Sequence, residues 1–514
     1  MLSAVPAGFH NDEVDVGYVG KFILLNGRDP AGNVLPLAFN KFGDFRPTGL
    51  FYLSGLLQLV FGSSIPTVRL PAAIFGALTV FPVFYLTLLI FKKKTPAYLA
   101  GLFLAILPWH IVLSRAVHEA IVGYFLVSWG LYCLIRYLEN SASKKTRRLL
   151  ALSILLLASS YLFYHGTRII VPLLLACVLA VWRTKAVLKI TLFFAAMTIL
   201  VAILPIGRGR LEQVVFYKDP GLADKLRDLP TADGGKVVVA RIFHNKVVVF
   251  SRGLVESYLQ YFSPNFLFLH GGYPERYVVP EAGLVYVFMV PFLVWGVIGL
   301  SRGSKWEFLP IFWILVAPLP GVLTYDDIPS VTRASFMAIP LVMVAGYGAS
   351  QILNMVKRVK VGRLAGVIFV IVALFEMVYF GHEYVVHQRS RKAILRDQGT
   401  AEMAQYVASA HFKYDFVVVP YHPNLVFYYL FFAGDYARDI KVDISGGSDR
   451  FQRGNVLFLR DGCPAQREFE FDSKNVLYID QEDCQMPNNK VEVATFPRPD
   501  STVAFKAFVK SGMK

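Results

Sequence analysis

The chain has 514 residues, is 55% hydrophobic and 17% charged, and has a mean hydropathy of +0.49. Soluble domains carry about 25% charged residues, so composition excludes an ordinary soluble enzyme over most of the length. The formal net charge is +16. Its Lys and Arg lie in short loops between apolar runs, where a membrane accounts for them and nucleic acid is not expected as a partner.

The opening MLSAVPAGFHNDE has neither a basic n-region nor an apolar core, so no cleavable signal peptide is expected. HNDEVDVGY (10–18) sets Asp12 beside Glu13, with Asp15 close behind. One carboxylate can take a proton from a hydroxyl while a second organises the site, and interfacial burial strengthens a carboxylate as a base. A solvated acidic loop, or a helix start favouring Asp and Glu, is the alternative. In FGDFRPTGLFYL (42–53), Asp44 and Arg46 precede Pro47 and an apolar segment. An Arg there can bind phosphate through charge-assisted hydrogen bonds, or simply anchor the interface. Segment 51–61 is apolar but too short to span and suits an interfacial helix.

Membrane segments are expected near 66–91, 96–114, 120–138, 149–164, 168–183, 188–205, 281–300, 308–323, 331–352 and 364–381, long enough to cross a core of roughly 30 Å. Basic loops follow alternate segments: Lys92 to Lys94; Arg136 to Arg148; Arg183 to Lys189; Arg302 and Lys305; and Lys357, Arg358, Lys360 and Arg363. The positive-inside rule makes these cytoplasmic and leaves 1–65, 115–119, 164–168, 206–280, 325–333 and the C-terminal part outside.

The outer turns carry further polar residues. Arg115, His118 and Glu119 lie at one membrane end, where ionisable residues are costly and often functional. Arg115 and Glu119 could equally pair four apart on one helix. His165 and Arg168 cap a turn with Tyr164, as contacts for substrate or as anchors. Asp326, Asp327 and Arg333 follow in TYDDIPSVTRASF. A divalent metal at the Asp pair would need ligands from other loops, and no cofactor is firmly implied. Residues 382–514 read as a small α/β domain, with strands near 416–420, 455–459, 475–479 and 491–496, a helix near 401–411 and a closing hairpin. Of the four cysteines, Cys133 and Cys177 lie in apolar runs, while Cys463 and Cys484 can pair if their domain faces an oxidising compartment.

HNDEVDVGYVGKFILLNGRDPAGNVLPLAFNKFGDFRPTGLFYL resembles the first outer loop of bacterial family 39-like glycosyltransferases. These GT-C membrane enzymes are related to protein O-mannosyltransferases and the lipid A aminoarabinose transferase. VRLPAAIFGALTVFPVFYL, PWHIVLSRAVHEA, YHGTRIIVPLL, YFSPNFLFLHG and PSVTRASFMAIP extend the resemblance over about residues 8 to 350. It implies a mainly α fold: a polytopic GT-C transmembrane bundle over 1–381 with an extracytoplasmic α/β domain over 382–514, in the cell membrane. It implies inverting transfer of a sugar from a polyprenyl-phosphate donor to a protein, lipid or glycan hydroxyl. Asp12 would be the general base and Glu13 its organiser, with Asp44 and Arg46 at the donor; by their placement on the same outer face, Arg115, Glu119, His165, Arg168 and Arg333 are expected to bind substrate too. Arg46-Pro47-Thr48 replaces the family's usual Lys followed by two prolines. The family's acidic loop follows a first membrane helix, so a further helix is expected ahead of this chain's start. A transporter or lipid flippase is the competing reading, but these usually show repeated halves and midplane sites, and no repeat is visible.

Overall fold

The structure is a computed structural model and describes residues 2–139, 144–204, 214–232, 234, 237–356, 362–469 and 474–511. The chain packs as two compact units. One holds Met1–Ala73, Arg115–Val117 and Tyr384–Lys514; the other holds Ile74–Ser114 and His118–Glu383.

In the first unit, Asn11–Asn26 forms helix α1, ended by Gly27 in the left-handed region (φ 69°), whose N–H bonds the Ile23 carbonyl. Every residue from Glu13 to Gly20 is buried. The helix therefore has no solvated stripe and no amphipathic period to betray it in the sequence. A hairpin of β1 (Ala38–Lys41) and β2 (Asp44–Pro47) follows, then helix α2 (Gly49–Phe61). Helices α1 and α2 meet backbone to backbone. A Cβ on Gly20 would lie 2.2 Å from the Phe51 carbonyl oxygen, and one on Gly55 2.4 Å from that of Gly20. Leu56, Leu59, Val60 and Phe61 stay exposed on α2, as suits an interfacial helix.

The C-terminal part of this unit is a six-stranded mixed sheet of order β4-β5-β3-β6-β8-β7. Its strands are β3 (Phe416–Pro420), β4 (Arg450–Arg453), β5 (Val456–Leu459), β6 (Val476–Gln481), β7 (Lys490–Pro497) and β8 (Val503–Lys510). The apolar run of β3 lies parallel to β5 and β6 and is buried almost throughout, as a parallel strand covered on both faces requires. Helix Thr400–Ala410 falls where the sequence suggests one; helix Pro423–Ala433 was not foreseen. The latter packs on α1, with Tyr18 stacked on Phe427 at 5.5 Å and Phe9 against Phe431 at 5.4 Å. A disulfide joins Cys463 to Cys484.

The second unit is helical. Across the chain's described residues, five helices are long and apolar enough to cross a membrane: Ile65–Phe91, Ala120–Glu139, Lys185–Ile203, Ser335–Val356 and Gly366–Arg391. Lys94–Ile106 and Pro108–Arg115 form a sixth if their 53° bend is one broken span. The break falls at Leu107, which is extended before Pro108, the conformation a following proline favours. The remaining expected segments are shorter helices. Basic residues Lys357, Arg358 and Lys360 lie outside the described residues. Ala338–Val356 is the packing centre: a Cβ on Gly348 would meet the Phe292 carbonyl at 1.9 Å, and one on Gly346 that of Pro96 at 2.7 Å. Small residues allow such close helix contact in a bilayer.

Gly20→Ala is expected to cost about 1–3 kcal/mol through overpacking and to lower the thermal midpoint of the full chain in nanodiscs. Gly366→Ala, with nothing within 4 Å, is expected to leave that midpoint unchanged.

Candidate active site

The start of α1 folds as a capping box. The His10 ring accepts the Asp12 N–H at Nδ1 (3.1 Å), and the His10 N–H donates to Glu13 Oε2 (3.1 Å). His is not a preferred N-cap residue, so the box rests on this reciprocal pairing. Because Nδ1 accepts, the 3.4 Å approach of the Asp12 carboxylate to the same nitrogen is no hydrogen bond while the ring is neutral.

Glu13 turns inward and is 2% exposed. Its Oε1 accepts from Arg69 Nε (3.1 Å) and the Val117 N–H (3.3 Å). Its Oε2 accepts from Arg69 Nη2 (2.7 Å), Arg396 Nη2 (3.1 Å) and the His10 N–H. Burial raises the carboxyl pKa, but the two guanidiniums outweigh it and hold it at about 2. Arg69, fully buried, spends its other donors on the carbonyls of Leu2, Pro6 and Gly8. Arg396 Nε donates to Ala7 O (2.8 Å), and Arg115 donates through Nε and Nη2 to Val5 O (3.2 and 2.9 Å). Three arginines thus staple residues 2–8 beside the acidic pair.

One position earlier on the helix, Asp12 faces the β1–β2 hairpin. Its side chain is 26% exposed, and its Oδ1 accepts from Arg46 Nη1 at 3.2 Å. One turn on, Asp15 is fully buried and accepts from Lys41 Nζ at both oxygens (2.6 and 2.7 Å), with Arg46 Nη1 3.5 Å away. Burial pushes the Asp15 pKa up, and Lys41 and Arg46 pull against it without cancelling it. The hairpin register pairs Lys41 with Asp44 and Phe39 with Arg46. Directly opposed and alternate residues share one face of a strand pair, so Lys41, Asp44 and Arg46 lie on the same face. Asp397, in the left-handed region (φ 51°), accepts the Asn11 N–H at 2.8 Å. The Tyr428 hydroxyl donates to the Phe9 carbonyl.

The structure therefore brings Asp12, Glu13, Asp44, Arg46 and Arg115 into one unit. Glu119, His165, Arg168 and Arg333 belong to the other. Glu119 is buried just ahead of helix Ala120–Glu139, whereas the helix carrying Arg115 ends at that residue, so the two do not share a continuous helix. His165 sits in the turn before helix Thr167–Trp182, and Arg168 in that helix's first turn donates to Tyr161 O at 3.4 Å. Arg333 donates to the Asp326 carboxylate (2.7 Å) and to Thr324 Oγ1 (2.8 Å), so that acid already has a cationic partner. Sequence reasoning missed Arg69, Arg396 and Lys41 and did not single out Asp15. Arg69 did carry a signal, as an ionisable residue in a 27-residue apolar helix; Arg396 and Lys41 carried none.

These elements define the GT-C architecture, a multi-span helical bundle with a C-terminal mixed sheet. Residues 46–207 match the model of the PMT_2 family, described as dolichyl-phosphate-mannose-protein mannosyltransferase. Apo ArnT from Cupriavidus metallidurans aligns with a TM-score of 0.50 at 13% identity, over 98% of this chain and 93% of that one. ArnT bound to undecaprenyl phosphate aligns at 0.49 and 12% identity, over 96% and 93%. The Archaeoglobus fulgidus oligosaccharyltransferase tethered to an acceptor peptide aligns at 0.50 and 13% identity, over 83% of this chain; the chain spans 59% of that enzyme's length. Comparison with curated proteins gives no match.

Glu13 contributes stability that is fully present above its unfolded pKa near 4.5 and is lost as pH falls toward its folded value of about 2. Glu13→Gln is expected to cost about 3 kcal/mol at neutral pH. The gap in thermal midpoint between wild type and variant is expected to close between pH 5 and pH 2, read by melting curves.

Proposed function

We propose that the chain is a membrane glycosyltransferase that moves a sugar from a polyprenyl-phosphate donor to an acceptor hydroxyl, with inversion, and that Asp12 is its general base. The observation that carries this reading is the partly exposed Asp12 carboxylate, 3.2 Å from Arg46, next to a stretch that matches the PMT_2 family, whose description names a dolichyl-phosphate-linked mannose. The acceptor oxygen attacks the anomeric carbon from the face opposite the phosphate, and its proton passes to Asp12. The bond from that carbon to the phosphate oxygen breaks, its electron pair stays on the phosphate, and the Arg46 guanidinium stabilises the anion. One carboxylate suffices, unlike the pair that a glycosidase divides between acid and base. Glu13, already saturated by fixed donors, organises the site rather than taking a proton. Asp44 shares the hairpin face with Arg46, and Arg115 supports the strap over the site. Glu119, His165, Arg168 and Arg333 are proposed contacts for substrate. The basic loops and the Cys463–Cys484 disulfide support an extracytoplasmic site and C-terminal domain, since disulfides persist in oxidising compartments.

Asp12→Asn is expected to lower transfer of labelled mannose from dolichyl-phosphate mannose to a membrane fraction by about a hundredfold to ten-thousandfold, with the fold intact by melting curve. Full transfer by the variant would remove Asp12 as the base.

A further inference from the structure

Lys41 and Asp15 have no part in the reaction as written, yet they form a buried, bidentate ion pair directly beneath Asp12. Lys41 Nζ lies 2.6 and 2.7 Å from the two Asp15 oxygens, and the side chains are 9% and 1% exposed. Such a pair returns little net stability for its desolvation, so its value to the protein lies in what it holds in place. The third member is Arg46, whose Nη1 lies 3.2 Å from Asp12 and 3.5 Å from Asp15. Asp12 and Asp15, three apart on α1, share one helical face. Lys41 and Arg46 share one face of the hairpin. Asp15 thus contacts a cation from each strand of the hairpin and grips both against the helix.

Resting on the reading of Arg46 as the donor-phosphate contact, we infer that Asp15 is a positioning residue, anchored by Lys41, that holds Arg46 at the phosphate when Asp12 loses its charge. As Asp12 takes the acceptor proton, its attraction for Arg46 disappears. At that moment the leaving phosphate gains negative charge. Asp15, out of reach of solvent and with both oxygens accepting from Lys41 Nζ, is not the proton's acceptor and stays beside Arg46 through the step. Arg46 therefore stays in place while its partner changes from Asp12 to the phosphate.

The test uses the full chain in nanodiscs with dolichyl phosphate as probe, every variant being made and compared in an Asp12→Asn parent whose uncharged side chain stands for the protonated base. Removing one member of a buried pair strands the other, so the variant is the neutral pair Asp15→Asn/Lys41→Gln. Arg46→Gln and the neutral pair are each expected to weaken binding about tenfold, and the combined variant to bind within about twofold of Arg46→Gln, since residues acting through one group are not additive. The neutral pair is expected to melt close to that parent. A second comparison holds if the pair folds poorly: Asp15→Glu keeps binding within about threefold and Asp15→Asn loses about tenfold. Parent-level binding by the neutral pair, multiplied losses in the combined variant, or equal binding by Asp15→Glu and Asp15→Asn overturns the inference alone. Unchanged binding by Arg46→Gln overturns the donor-contact reading and this inference with it.

Discussion

The Glu13 carboxylate, buried and bonded by five donors from Arg69, Arg396, His10 and Val117, is the constraint on which the first unit depends. One buried anion cannot balance two buried guanidiniums. The excess is met by peptide carbonyls, and those at Leu2, Pro6, Ala7 and Gly8 all accept from the same two arginines. The N-terminal strap is therefore part of the electrostatic balance of the core rather than a loose end. Arg69 comes from α1's neighbour Ile65–Phe91 and Arg396 from the C-terminal sequence. The cage ties together three parts of the chain that share no local contact in sequence.

This cage separates two adjacent acids. Consecutive residues on a helix point about 100° apart, so fixing Glu13 inward turns Asp12 toward the hairpin. Asp15, one turn on, returns to the Asp12 side but lies deeper. Three carboxylates within four positions then sit in three environments: Glu13 with a strongly depressed pKa, Asp15 buried against an ammonium with its pKa raised, and Asp12 a quarter exposed. Division of labour among neighbouring acids follows from such differences in burial and partners, not from residue type.

Much of the helical bundle was legible because a bilayer demands long apolar runs, and a run such as Ile65–Phe91 has no other use. The strands β3, β6 and the β7–β8 hairpin were legible from β-branched runs and the PRPDS turn. Helix α1 was not, because it is covered on all sides and shows no period of 3.6. Helix Pro423–Ala433 was missed because eight of its residues are buried, and its apolar run reads as strand or helix equally well. The pairing of Arg396 with Glu13 across 383 residues leaves no trace in a single sequence. Asp12 and Arg46 could be named from their motif, but only the fold sets them 3.2 Å apart.

The hairpin shows why spacing outweighs inventory at this site. Its two strands are four residues each, joined by the Phe42-Gly43 turn with both residues at positive φ. Sliding one strand by one residue would turn that strand's side chains to the opposite face, so that Lys41 and Arg46 no longer shared the face toward α1. Losing Lys41 in this way would leave buried Asp15 without its ammonium, at a cost of several kcal/mol. The ion pairs therefore pin the register, and the register delivers the ion pairs. Charges held this way are set by the fold and need no rearrangement to act, which is what electrostatic preorganisation requires.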